Sequence, residues 1–190
     1  MMERVAASPN LKARIAGIFY LLTFVTGGFA LLVRSRAGVA AGLVAGVCYI
    51  AVTLIFYDLF KPVDKRLSFL AATVSAVGIA VGPLGLTRVN PLVFFGFYCL
   101  LIGYLIFRST FLPKALGVLM ALASLGWLTF LSPPLAKSLY PYNLAPGLIG
   151  EGALTLWLLA VGVDVPSWQI QARPLVRLKP DTTGGPTLYR

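Results

Sequence analysis

The sequence of 190 residues contains no histidine. That absence excludes bis-histidine haem, histidine-ligated zinc or copper, Ser-His and Cys-His catalytic pairs, and a histidine proton shuttle. Cysteine is almost absent. Cys48 and Cys99 stand in separate apolar runs without Cys-x-x-Cys spacing, so a thioredoxin-like redox pair is missing. Both read as small packing residues. Charge is the third shortage. Charged side chains make up 12% of the chain, where a soluble domain carries about 25%. With 58% apolar residues and a mean hydropathy of +0.87, there is too little polar surface to coat a water-soluble globule. Soluble enzymes, secreted disulfide scaffolds and disordered chains are thereby excluded. A polytopic membrane protein remains, with the lipid bilayer as its first partner.

The apolar residues fall into six runs of about spanning length: Ile15–Val33, Ala37–Phe60, Leu67–Leu86, Leu92–Phe107, Ala115–Leu131 and Leu144–Val163. The first is too long for a signal-peptide core and is followed by Arg34 and Arg36 instead of a small-residue cleavage site, so it reads as an uncleaved span. The expected fold is therefore all-α, a six-helix transmembrane bundle with short connections and antiparallel sequential neighbours. Residues 1–14 read as an N-terminal arm, 15–164 as the transmembrane domain, and 165–190, with four prolines and a Gly-Gly pair, as a disordered basic tail.

The net charge of +10 arises from basic residues lying between these runs. No basic patch interleaves with aromatics, so nucleic acid is not the expected partner. Instead the charges record orientation. Arg4, Lys12, Arg14, Lys61, Lys65, Arg66, Arg108, Lys114, Arg173, Arg177, Lys179 and Arg190 fall on one side, and Arg34, Arg36, Arg88 and Lys137 on the other. Twelve against four places both termini in the cytoplasm. Tyr140, Tyr142, Trp157 and Trp168 fit an interfacial aromatic belt.

Small residues recur at helical spacing. Gly38, Gly42 and Gly46 form a ladder in the second run, Gly78 and Gly82 sit in the third, and Gly117 and Ala121 in the fifth. Close approach through small residues drives helix association in lipid. These positions read as helix-packing contacts within the bundle, or, for the second run, as a homo-oligomer face. Gly82-Pro83-Leu84-Gly85 either ends the third helix or breaks it beside a cavity.

One residue is out of place. Glu151 lies about seven residues into the last run, roughly 10 Å below its outer end at 1.5 Å per residue. A charge at that depth is costly and faces the bundle interior or water. Gly147 and Thr155 share its helical face. Arg34, Arg36, Arg88 and Lys137 are its candidate cations. Tyr20, Tyr49, Tyr57, Tyr98 and Tyr104, with Thr23 and Thr26, either line a mildly polar cavity with Glu151 or satisfy one another. The expected ligand-binding set is Glu151, Thr155, Gly147, Tyr98 and Tyr20, with a small or lipidic ligand as partner. Asp58 has Lys61 three positions on and reads as half of a local ion pair. No nucleophile elbow, P-loop, dinucleotide fingerprint or metal-ligand cluster appears, so no catalytic residue, metal or cofactor is expected.

Several stretches carry a resemblance: Arg14-Ile15-Ala16-Gly17-Ile18-Phe19-Tyr20-Leu21-Leu22, Lys61-Pro62-Val63-Asp64-Lys65, Phe95 through Tyr104, Phe111-Leu112-Pro113-Lys114-Ala115-Leu116-Gly117, and Leu148-Ile149-Gly150-Glu151 followed by Leu156-Trp157-Leu158-Leu159. In this order they resemble the bacterial integral-membrane family termed domain of unknown function 4386, over roughly residues 12 to 164. The resemblance implies a multi-helix protein of the bacterial inner (plasma) membrane and no particular activity. Two readings of function follow: a binding or transport-like bundle with its site at Glu151, or a structural or regulatory membrane subunit acting through helix contacts.

Overall fold

The computed structural model describes residues 8–84 and 90–177. Among them every regular element is helical. Helix α1 runs Pro9–Leu32, α2 Arg36–Phe60, α3 Lys65–Leu84, α4 Pro91–Arg108, α5 Lys114–Leu128, α6 Pro133–Leu139, α7 Ala145–Ala160 and α8 Val165–Arg177; 3-10 turns at Thr129–Leu131 and Tyr142–Leu144 flank α6. Local chemistry sets several of these ends. Ser8 Oγ accepts from Leu11 N ahead of Pro9, and Asn90 Oδ1 accepts from Leu92 N ahead of Pro91. Each is an N-cap with proline in the first turn, where the missing N–H costs nothing. Asp64 Oδ1 takes the N–H groups of Arg66 and Leu67 to start α3.

The packing closes on itself. α1 packs on α2, α2 on α3, α3 on α4, α4 on α5, α5 on α7, and α7 returns to α1. Six helices thus form a ring, with α6 a short link between α5 and α7. The inside of the ring is aromatic and aliphatic: Tyr20, Tyr49, Val52, Phe56, Tyr98, Cys99, Ile102, Met120, Trp127 and Leu154 are all buried. The outside is also apolar. Val25 of α1, Val39, Val47 and Leu54 of α2, Leu125 of α5 and Leu156 of α7 are more than 60% exposed. Such a surface suits hydrocarbon rather than water. Four helices are long and apolar enough to cross a membrane (9–30, 36–60, 91–108 and 114–131), and the pair 142–160 and 165–173, bent by 101°, makes a fifth if taken as one span.

The glycine ladder of α2 is partly spent inside the chain. A Cβ on Gly38 would lie on the carbonyl oxygen of Val33 in the α1–α2 turn, and one on Gly42 would touch the Ala30 Cβ at 3.6 Å; only at Gly46 is there open space. Gly78 of α3 faces Phe94 of α4. Gly82 lies in the last turn of α3, whose backbone stays helical to Leu84, so the Gly-Pro pair does not stop the helix at Val81. A reciprocal glycine crossing lies elsewhere. A Cβ on Gly103 would meet the Gly117 carbonyl oxygen at 2.8 Å, and one on Gly117 would meet the Gly103 carbonyl oxygen at 2.7 Å. Helices α4 and α5 therefore touch backbone to backbone.

Two expectations are corrected. The N-terminal arm is shorter than residues 1–14, because α1 already begins at Pro9. The stretch from Val165 is not a disordered tail throughout, since Val165–Arg177 is helix α8. Tertiary bonds hold α8 despite its prolines: Trp168 Nε1 donates to Leu59 O at 2.9 Å, and Thr110 Oγ1 donates to Gln171 Oε1 at 3.1 Å. Residues 178–190, with the rest of the expected tail, lie outside the described residues, as does Arg88.

Candidate functional site

Glu151 projects from α7 into the ring and is 1% exposed. Its carboxylate accepts two hydrogen bonds from other helices. Tyr20 Oη of α1 donates to Oε2 at 3.0 Å, and Trp127 Nε1 of α5 donates to Oε1 at 2.7 Å. The Cys99 thiol of α4 adjoins the same carboxylate. Three walls of the ring thus converge on one side chain from the fourth.

Among the described residues, none of the candidate cations is one of its partners. Arg34, Arg36 and Lys137 are exposed. The ion pairs among the described residues involve Asp58, which takes Lys61 of the following turn and also Lys12 of α1. That second partner ties the start of α1 to the end of α2. Both ends therefore lie at one level, as antiparallel neighbours require. A buried carboxylate commonly has a cation beside it, because removing its charge from water is costly. Here dipolar donors alone stand in that place.

Glycine on α7 makes room for one of these donors. A Cβ on Gly147 would lie 2.4 Å from Trp127 Cζ2 and 2.7 Å from Trp127 Nε1. The indole lies flat where any other side chain would sit, and so its N–H reaches the carboxylate one turn further on. Gly147, Glu151 and Thr155 do share the buried face of α7. Gly147 acts there through Trp127.

The aromatic rings form one connected group around the carboxylate. Tyr20 meets Tyr49 at 6.0 Å between ring centroids, Tyr49 meets Tyr98 at 5.7 Å and Phe95 at 5.2 Å, and Phe95 meets Trp127 at 5.4 Å. Tyr20, Tyr49, Tyr98 and Cys99 all lie within electrostatic reach of Glu151. The hydroxyls of Tyr49 and Thr155 are buried and have no hydrogen-bond partner among the described residues, and that of Tyr98 has Thr53 beside it. Native interiors leave few such groups.

Of the five tyrosines named from the sequence, Tyr20, Tyr49 and Tyr98 enter this group. Tyr57 lies against Phe69, and Tyr104 is exposed beside Arg108. Thr23 and Thr26 donate to the carbonyls of Phe19 and Leu22 on their own helix, and Thr23 also reaches Ala45 O of α2 at 3.5 Å. Trp127 and Cys99 were missed as neighbours of Glu151. The signal for Trp127 was present: an indole N–H in an apolar helix needs an acceptor, and Glu151 is the one deep acid. Among the described residues no group of three Cys, Asp or Glu side chains could hold a metal ion.

Comparison with known proteins finds a family match over part of the chain. Residues 87–162 match a family described as a domain of unknown function (DUF4386). That segment takes in α4 to α7, and with them Tyr98, Cys99, Trp127 and Glu151, while Tyr20 and Tyr49 lie before it. An uncharacterised protein of Archaeoglobus fulgidus is 29% identical over 125 residues, covering 60% of this chain and 76% of its own length. No solved structure matches.

Proposed function

We propose that this chain, as a relative of that family of unknown function, is a multi-pass membrane protein whose helical ring binds a small or lipidic ligand around Glu151, in a transport-like manner. One observation carries the reading. Among the described residues this carboxylate at 1% exposure has no cationic partner, lies within electrostatic reach of the buried, unpaired hydroxyl of Tyr49, and has that of Thr155 one turn further along its own helix. A carboxylate that served only to tie helices together would leave no polar neighbours unpaired, because each orphaned group costs about 1–3 kcal/mol. Unpaired hydroxyls beside an acid suit a second molecule that supplies their partners.

The same reading takes the six ring helices as six spans. α3 and α7, at 20 and 16 residues, join the four helices that are long and apolar enough by themselves. The division of basic residues, twelve against four, supports cytoplasmic termini. The Lys12–Asp58–Lys61 cluster supports one level for the start of α1 and the end of α2. The location proposed is the bacterial inner (plasma) membrane. Helix α8, turned by 101° from α7, would then lie along the inner surface.

Native mass spectrometry of the full chain in mild detergent tests the site. Wild type is expected to retain a bound species that Glu151→Gln loses. Identical ligand-free spectra for the two proteins, with equal thermal stability, would count against a binding role.

A further inference from the structure

We infer that the ligand of the Glu151 site is an organic monocation, a protonated or quaternary amine carried on an apolar body. This rests on the binding reading above and names the chemical class that the walls select.

The argument begins with charge. Glu151 is the acid buried in the ring interior, and among the described residues no lysine or arginine pairs with it. An anionic ligand would find no cation to meet it among the described residues there. A neutral ligand would leave the carboxylate as it is. A cation supplies the missing countercharge, and in a desolvated setting that pairing is strong.

The polar lining points the same way. Tyr49 and Thr155 present hydroxyl oxygens with free lone pairs, and the two Glu151 oxygens keep lone pairs beyond those taken by Tyr20, Trp127 and the Cys99 thiol. An ammonium N–H is a donor that all of these oxygens can accept. The only N–H in the wall, that of Trp127, is already used on Oε1.

The rings supply the third term. Tyr20, Tyr49, Phe95, Tyr98 and Trp127 form one connected aromatic wall around the carboxylate. Aromatic faces attract cations, most strongly where water is excluded, and cages of such rings recognise quaternary ammonium groups. The rings now close on one another at centroid distances of 5.2–6.3 Å. Contacts of this kind hold with about 1 kcal/mol each, so a cation that replaces them can part them.

The test uses probes that differ in charge at nearly constant shape. Benzyltrimethylammonium is the cation, neopentylbenzene its uncharged isostere, and phenylacetate an anion. Each is titrated into the purified full chain in neutral detergent at matched ionic strength, with tryptophan fluorescence and the unfolding midpoint as readouts. The expected result is a saturable change with the cation alone, weakened at least tenfold by Glu151→Gln. Tyr49→Phe and Thr155→Val, which remove unpaired hydroxyls, are expected to weaken benzylammonium, whose N–H groups these oxygens accept, severalfold, and to leave benzyltrimethylammonium, which has no N–H, within about twofold. Binding of neopentylbenzene or phenylacetate as tight as that of the cation, and lost on Glu151→Gln, would overturn the cationic class and leave the binding site standing. No saturable response to any of the probes would overturn the inference, and ligand-free native spectra would then remove the binding reading as well.

Discussion

Gly103→Ala is expected to destabilise the bundle by about 3 kcal/mol, at the upper end of what overpacking costs. The added Cβ would lie 2.8 Å from the Gly117 carbonyl oxygen and 2.9 Å from the Ala121 backbone nitrogen. Both are backbone atoms, so no side chain can rotate aside. Relief requires α4 and α5 to separate along their length. In lipid this contact is held by van der Waals packing, without a hydrophobic drive between helices, so separation is not repaid elsewhere. Gly152→Ala is the control. Nothing lies within 4 Å of its Cβ position, and the change is expected to stay within about 1 kcal/mol of wild type. Unfolding in mild detergent, followed by circular dichroism, compares the two. Equal stability of Gly103→Ala and Gly152→Ala would mean that α4 and α5 do not meet through this glycine pair. The lesion should also loosen the site, because α4 carries Tyr98 and Cys99 and α5 carries Trp127.

That crossing shows where sequence reasoning stops. The long helices are legible because each is a run of apolar residues of spanning length, and the runs need no tertiary information. Short α6 carries Lys137 and two prolines and shows no such run. Helix α8 was read as disorder from its prolines and arginines. What orders it is the fold: Asp164 Oδ2 accepts from Ser167 N at its start, and Trp168 and Gln171 bond to α2 and to the α4–α5 loop. The glycines of α2 drew attention because they repeat at four-residue spacing. Gly103 and Gly117 meet each other's backbone across two helices, and spacing along one helix does not reveal that pairing.

The site divides in the same way. Glu151 is legible because a charge in an apolar run is conspicuous whatever surrounds it. Its face-mates Gly147 and Thr155 follow from helical periodicity. Its hydrogen-bond partners stand 131 and 24 positions away in the chain, at Tyr20 and Trp127. Only the closure of the ring brings α1 and α5 to opposite sides of α7. The expected arginine or lysine partner was the natural inference from charge alone. Among the described residues dipoles stand in that place, and that substitution leaves an acid there without a countercharge.

Glu151→Ala is expected to cost about 4 kcal/mol, whereas Glu151→Gln is expected to cost no more than about 1 kcal/mol. The difference lies in what happens to two donors. Alanine orphans both the Trp127 N–H and the Tyr20 O–H in a buried setting, at about 1–3 kcal/mol each, and removes packed methylene groups. Glutamine can keep both bonds in one orientation only. The Trp127 indole is solely a donor, so the amide oxygen must replace Oε1. The amide nitrogen then stands in the place of Oε2, where it donates to Tyr20 Oη, since a phenol oxygen accepts as well as donates. Shape and hydrogen bonding survive while the charge is lost, so Glu151→Gln separates binding from folding. A double-mutant cycle with Tyr20→Phe measures the bond itself. In the wild-type background Tyr20→Phe should cost about 1–2 kcal/mol, because its hydrogen bond is to a charged acceptor; with glutamine at 151 the cost should fall below about 1 kcal/mol. Equal costs in the two backgrounds would mean that the Tyr20 hydroxyl does not answer to the carboxylate. A Glu151→Ala protein as stable as wild type would mean that the carboxylate does not hold the ring together.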